Sequence, residues 1–321
     1  MNKLDRNFLV LGATGSIGYA FTQVLLAQQE QVTILVRDRD RASRLFGTQA
    51  GLTIVQGDAQ DKELLHDLGH KATHIFHGIN YPYDKWQDNM ERVTQHVIAA
   101  AAVNKATILF PGNVYNYGNL QPEIKENSPM QPNTRKGALR VQLEQMLGAA
   151  AQQGTCRVLI LRLPDFWGPN VMNEGIAPIF RAALQGEAMP WLYRNDIPHQ
   201  LVYTPDAARA FYKLLQLQPD TPYQVYNFGG EVVPSIKAWQ AQTAEVAGTK
   251  PKHKLHSKWL FRLLGLFMPM MREIAEMGYL WENTILLNDE KLRQTLPDFK
   301  PTPMRKAIAD TLDWFRKESA A

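Results

Sequence analysis

The sequence predicts an α/β protein: a doubly wound parallel sheet followed by a smaller, mostly helical C-terminal region. Three observations carry this reading. An apolar strand, Phe8 to Leu11, passes through a glycine-rich turn directly into helical periodicity. Short apolar runs then alternate with helical patterns as far as Gly230, and beyond that point the alternation gives way to helix. Repeated strand–helix–strand units imply right-handed crossovers between parallel strands.

Size and composition bound the function. A chain of 321 residues supports one large α/β domain or two smaller ones. With 45% hydrophobic and 21% charged residues, neither a disordered chain nor a membrane protein is expected. The net charge of +4 suits anionic ligands but is too diffuse to argue for nucleic acid. A single cysteine, Cys156, excludes an intramolecular disulfide framework and favours the cytoplasm. No secretory signal is read, since MNKLDRN leads into the first strand without an apolar core or a cleavage site. The apolar run Trp259 to Met271 contains Arg262 and Pro269 and is too short to span a bilayer.

The first element is FLVLGATGSIGYAFTQVLL. Gly12 turns the backbone sharply off the strand, Gly15 admits a pyrophosphate close to the main chain, and Gly18 lets the helix pack near the sheet. The first-turn N–H groups lack helical partners and face an anion, with the helix dipole adding attraction. Gly12, Thr14, Gly15, Ser16, Ile17 and Gly18 are therefore the candidate phosphate loop; the alternative is a plain turn.

The second strand ends at Val36 and is followed by Arg37, Arg39 and Arg41. An acid at that end would hold an unphosphorylated ribose, whereas a cation holds a 2′-phosphate. Arg37 thus favours NADP, with NAD the second choice; Asp38 and Asp40 dilute the positive field, and Arg37 as a solvated loop charge is the alternative. The third strand, LTIVQGDAQD, ends in Asp58, read either as a partner for an adenine amino group or as a cap for the helix beginning near Asp61. In the fourth, THIFHGINYP, Gly78 lets the chain pass beneath the cofactor and His77 reads as a packed core histidine. A helix from about Lys85 to Val103 carries an alanine-rich face.

The fifth strand, ATILFPGNVYNYG, delivers Asn113, Tyr115 and Tyr117 at its carboxyl end, where open parallel sheets bind ligands. A helix from about Thr134 then places Lys136, Arg140 and Glu144 on one face. They are read either as functional groups or as a solvated ladder ending in an Arg140–Glu144 pair. The sixth strand, CRVLILRLPDFWGPN, breaks at Gly168 and Pro169, and the stretch to Pro198 reads as an insertion over the site. HQLVYTPDAARAFYKLLQ restores a strand and a helix, with Asp206 as a cap, and YQVYNFGG is the last strand. In the tail, SIKAWQAQTAEVAG and TPMRKAIADTLDWFRK are helices. KPKHKLHSK beside the apolar Trp259 to Leu280 fits a helix over a substrate cleft or a dimer interface better than a membrane surface. His253 and His256 have no acidic or thiol neighbour that would complete a metal site, and none is expected. The boundaries read as 1–168 with 199–230 for the dinucleotide domain, and 169–198 with 231–321 for the remainder.

Taken together, GATGSIG, GDAQD, NVYNYG, R-x-P-D-F-W-G-P, VYTPDAARA and YNFGG resemble the extended short-chain dehydrogenase/reductase superfamily, in its NAD-dependent epimerase/dehydratase branch. The resemblance implies a Rossmann domain, a smaller C-terminal substrate-binding or lid region, a small-molecule substrate and, commonly, homodimers. It also implies a Ser or Thr after the fifth strand and a Tyr-x-x-x-Lys pair on the next helix. At the matching positions this chain has Asn113, Lys136 and Arg140.

The side chains suggest an atypical set. Arg140 is a permanent cation for the nicotinamide ribose hydroxyls. Asn113 donates to a carbonyl oxygen. Lys136, beside Arg140, is read as a proton donor of lowered basicity, and Tyr115 as a phenol from the strand side. Trp167 and Trp191 are expected to roof the site. Two readings follow: an NADP-preferring oxidoreductase or epimerase-like enzyme acting on a small carbonyl or sugar-type substrate, and a non-catalytic NADP-binding sensor or scaffold.

Overall fold

Short, mostly apolar runs of three to seven residues become strands, and many of the intervening amphipathic stretches become helices. A computed structural model describes residues 6–119, 123–217 and 221–320; most of the leading MNKLDRN lies outside them. In chain order the elements begin β1 (Asn7–Leu11), α1 (Ser16–Ala27), β2 (Gln31–Val36), α2 (Arg39–Phe46), β3 (Leu52–Gln56), α3 (Lys62–Gly69), β4 (His74–His77) and α4 (Trp86–Val103). They continue with β5 (Thr107–Asn113), α5 (Arg135–Gln152), β6 (Arg157–Leu163), β7 (Asp165–Trp167), α6 (Ala177–Gln185), β8 (Met189–Leu192), β9 (His199–Tyr203) and α7 (Thr204–Gln216). The last are β10 (Tyr223–Asn227), β11 (Glu231–Val233), α8 (Ile236–Ala247), β12 (His253–His256), α9 (Lys258–Leu264), α10 (Pro269–Glu276), α11 (Tyr279–Glu282), α12 (Glu290–Thr295) and α13 (Met304–Ala320).

The chain divides into two compact units. The first comprises Met1–Asn113, Ala138–Arg162 and Ala207–Tyr226. It holds a seven-stranded sheet in the order β10-β6-β5-β4-β1-β2-β3. β1 pairs in parallel with both β2 and β4, β2 with β3, and β4 with β5. Strand order reverses between β1 and β4, which makes their carboxyl ends the switch point where such sheets bind ligands. The core beside them is aromatic: Phe21 stacks on Phe76 at 4.6 Å and meets Phe211 edge-on at 6.0 Å. The alanine-rich face of α4 allows a close helix contact, because a Cβ on Gly69 would lie 2.4 Å from the Ala100 carbonyl oxygen.

The second unit comprises Val114–Gly137, Leu163–Asp206 and Asn227–Ala321. Its sheets are small, β11-β9-β7 and β12-β8. Its core is built from Trp167, Phe180, Trp239 and Phe315, with Phe180 and Phe315 stacked 5.5 Å apart.

Three expectations are corrected here. β6 ends at Leu163, and Asp165–Trp167 forms a separate strand parallel to β9. β9, expected with the dinucleotide domain, pairs instead with β7 and β11. Every residue of HQLVY is buried, so neither alternation nor polarity along the strand says which sheet it joins. Trp167 and Trp191 belong to the core of the second unit, where Trp167 packs between Phe180, Tyr203 and Trp239, and neither is a roof.

Candidate functional site

The glycine loop has the geometry of an anion cradle. Gly12 has φ +78°, and a Cβ there would lie 2.4 Å from the Gly78 carbonyl oxygen at the end of β4. A Cβ on Gly18 would lie 2.2 Å from the Gly12 carbonyl oxygen. Only glycine permits these backbone approaches, and through them Gly12, Gly18 and Gly78 come together. Gly15 N–H donates to Gly12 O at 2.9 Å and closes the turn. α1 then starts with no side-chain cap and no acidic residue in its first turn. The leading amides of Ser16, Ile17 and Gly18 lack helical acceptors and face forward, which fits a dinucleotide pyrophosphate.

At the end of β2, Arg37 is exposed. The following residue, Asp38, caps α2 by accepting from Arg41 N–H at 2.8 Å, which orients it toward the helix. Arg41, noted in the sequence only as part of a basic run, donates through Nη2 to the Thr14 carbonyl at 3.3 Å. A guanidinium thus sits against the phosphate loop itself. Spacing along the chain carries no sign of this contact, which arises because α2 folds back beside the loop. Asp58 is exposed and accepts from Gln60 N–H at 2.9 Å, whereas Asp61 caps α3. The capping alternative for Asp58 is therefore taken by its neighbour.

At the end of β5, Asn113 is half-buried. In the same unit Arg140 is buried, donates through Nη2 to the Pro111 carbonyl at 2.6 Å and lies 4.6 Å over the Phe110 ring. His77 packs on the same ring at 5.3 Å, and its Nε2 meets Thr94 Oγ1 at 2.9 Å. Burial, and then the Arg140 charge, lower its pKa to about 3. It is a neutral core histidine, as the sequence suggests. The solvated ladder is overturned: Lys136, Arg140 and Glu144 are all buried, and Glu144 pairs with Arg162, whose Nη2 lies 2.5 Å from Glu144 Oε2.

In the second unit the start of α5 is clamped. Thr134 Oγ1 accepts from Gly137 N–H at 3.0 Å as an N-cap. A Cβ on Gly137 would lie 2.5 Å from the Tyr115 carbonyl oxygen, so this turn packs directly on the half-buried Tyr115. Lys136 is 3% exposed and donates through Nζ to Glu276 Oε2 at 2.7 Å and to Glu273 Oε2. Arg135 N–H donates to Glu276 Oε1 at 2.7 Å, and Arg135 Nη2 to Glu273 Oε1 at 3.0 Å. Burial pushes the Glu276 carboxyl upward, but hydrogen bonds from Lys136 and the Arg135 amide, reinforced by both charges, hold it below the usual carboxylate range. The close neighbours of Lys136 in this unit include two carboxylates from α10, and its Nζ donates to both. Glu273 and Glu276, 137 and 140 residues from Lys136, were not foreseen from the sequence. Tyr117 is fully buried and donates to the Lys125 carbonyl at 3.4 Å. Asp206 accepts from the amide and hydroxyl of Thr302, both at 2.7 Å. His253 Nδ1 is 2.8 Å from Gln240 Oε1.

Comparison with solved structures finds the same fold across nearly the whole chain. UDP-glucuronic acid 4-epimerase from Bacillus cereus, in complex with NAD, aligns at TM-score 0.78 and 16% identity over 97% of this chain and 99% of that one. UDP-N-acetylglucosamine 4-epimerase from Methanobrevibacter ruminantium M1, in complex with UDP-N-acetylmuramic acid, aligns at 0.78 and 18% over 98% and 99%. UDP-glucose 4-epimerase with UDP-glucose from Thermotoga maritima aligns at 0.76 and 16% over 98% and 99%. No helix among the described residues is long and apolar enough to cross a membrane. Residues 8–229 match the model of the NAD dependent epimerase/dehydratase family, with the glycine loop at the start of the match and YNFGG at its end. The chain belongs to that family.

Proposed function

We propose that this protein is a cytoplasmic NAD(P)-dependent oxidoreductase or epimerase-like enzyme that prefers NADP and acts on a small carbonyl or sugar-type substrate. The observation that carries the proposal is the cradle formed by Gly12, Gly18 and Gly78 ahead of the uncapped start of α1. A phosphorylated cofactor is supported by Arg37 standing where an acid would hold a free ribose, by Asp38 being committed to α2, and by Arg41 at the Thr14 carbonyl. The UDP-sugars named with the structural neighbours support a sugar-type substrate.

In this reading Gly12, Thr14, Gly15, Ser16, Ile17 and Gly18 hold the pyrophosphate, Arg37 the 2′-phosphate, and Asp58 the adenine. A bound nicotinamide supplies a hydride acceptor or donor. Arg140 orients the ribose hydroxyls, and Asn113 donates a hydrogen bond to the substrate carbonyl. Tyr115 supplies the phenol, and Lys136 holds the start of α5 in place through Glu273 and Glu276.

A non-catalytic, NADP-binding protein is the second reading. It is favoured by the commitment of Lys136 to two carboxylates. The test is a paired titration with NADPH and NADH, followed by energy transfer from tryptophan to the reduced nicotinamide, together with cofactor turnover on a panel of nucleotide sugars and small carbonyl compounds. The expected result is NADPH binding at least tenfold tighter than NADH, with Arg37→Glu abolishing the difference. Equal binding overturns the NADP preference, and no binding of either overturns the cofactor site. NADPH binding without turnover on any substrate selects the second reading.

A further inference from the structure

We propose that the segment from β12 to the start of α10 is a docking surface for an anionic phospholipid bilayer, and that the protein lies on a membrane rather than spanning it. Six of the eight large apolar side chains exposed among the described residues fall between positions 255 and 268. Trp259, Leu266 and Phe267 are the most open, at 69%, 74% and 82% exposure. Such crowding of open apolar surface in one stretch marks an interaction site, whereas scattered single residues do not.

The pattern within the segment is that of an interfacial helix. Trp259, Arg262, Leu263 and Leu266 recur at helical spacing on one outward side, and all four are exposed. The inner side of α9 is separately occupied, with Phe261 meeting the Tyr193 ring at 5.8 Å. A helix lying against its own protein in water presents polar residues outward; this one presents Trp and Leu.

Charge selects the partner. Between Glu245 and Glu273 the sequence contains no acidic residue, whereas Lys250, Lys252, Lys254, Arg262 and Arg272 fall within that interval, with Lys258 paired to Glu282. Cations flanking an apolar face match anionic headgroups above an acyl boundary, and Trp and Phe are the side chains that insert there. Two copies of this face would oppose like charges, which disfavours self-pairing. The patch is also held ready: Lys258 Nζ donates to Glu282 Oε2 at 2.6 Å on one side, and Glu276 accepts from Lys136 at 2.7 Å on the other.

The test is co-sedimentation of the full chain with vesicles of phosphatidylcholine alone and of phosphatidylcholine with 30% phosphatidylglycerol. Binding to the anionic vesicles alone is expected, falling at least tenfold in 1 M salt and in the double variant Trp259→Ser, Phe267→Ser. Circular dichroism and light scattering accompany each variant. Because both substituted side chains are exposed, the variant is expected to keep the wild-type spectrum. No binding by the wild type, or equal binding by the variant, overturns the proposal. So does a wild-type dimer that the variant converts to a monomer, since that assigns the face to a second copy.

Discussion

Lys136 Nζ lies 2.7 Å from Glu276 Oε2, while the other oxygen of that carboxylate accepts the Arg135 amide at the start of α5. One side chain of α10 therefore satisfies a cation and an unpaired helix-terminal N–H together. A carboxylate at a helix N-terminus is also favoured by the dipole.

Lys136→Met is expected to destabilise the protein by about 2–4 kcal/mol, because it leaves two partly buried carboxylates with only the exposed Arg135 as a cation. Arg135, already paired with Glu273, is 72% exposed, so its charge is screened by solvent and offsets only part of the loss. The acid response gives an independent check. The Glu276 value is depressed on folding, so its contribution is complete above the unfolded carboxylate value of about 4.3 and is lost as the pH falls through the folded one. Urea midpoints at pH 7 and pH 4 should differ less in Glu276→Gln than in the wild type. An unchanged difference would remove the clamp.

Gly12→Ala is expected to abolish dinucleotide binding and to lower stability by about 3 kcal/mol or more, combining left-handed backbone strain with a backbone clash. The added Cβ would lie 2.4 Å from the Gly78 carbonyl oxygen, and neither strand end can yield without breaking the parallel pairing of β1 and β4. Gly154→Ala is the matched control. Its φ is +70°, but a Cβ there meets nothing within 4 Å. Only the conformational cost of about 1 kcal/mol remains. Thermal denaturation of the two variants with and without NADPH separates strain from loss of the site.

What the sequence made legible was whatever depends on neighbours along the chain. The glycine loop, the end of β2 at Val36 and the span of α4 follow from local periodicity, and α5 begins one residue beyond the expected Thr134. What it hid depends on which distant side chain arrives. Glu144 stands four residues from Arg140 and reads as its partner, yet β6 brings Arg162 to it, and a Cβ on Gly112 would lie 2.8 Å from the Arg162 Cγ. β5 has a glycine there because the arginine stem passes over it, a reason invisible in either segment alone. In the sequence the neighbour that stands out for Lys136 is the positive charge one turn away, while two carboxylates reach it from α10. Arg41 resembled its neighbours in a basic run until α2 folded back onto Thr14.

The buried histidines predict how the protein responds to acid. Thr94 Oγ1 donates to the Met90 carbonyl at 2.8 Å, so it accepts from His77 Nε2–H, and His77 is held as the neutral Nε2–H tautomer. Burial and then Arg140 bring its pKa down to about 3; burial and then Arg6 bring that of His74 to about 4. Both values fall below the unfolded one, so the unfolded chain binds more protons between them. Stability is then complete above about pH 6.5 and is lost as the pH falls, by roughly 1.4 kcal/mol per pH unit for each histidine. Between pH 6 and pH 5, His77→Gln should lose stability less steeply than the wild type, because His77 no longer takes up a proton on unfolding while His74, and His253 and His256 whose values burial also lowers, still do. Urea unfolding at these two pH values measures the slopes, and equal slopes would show that His77 gains its proton without unfolding.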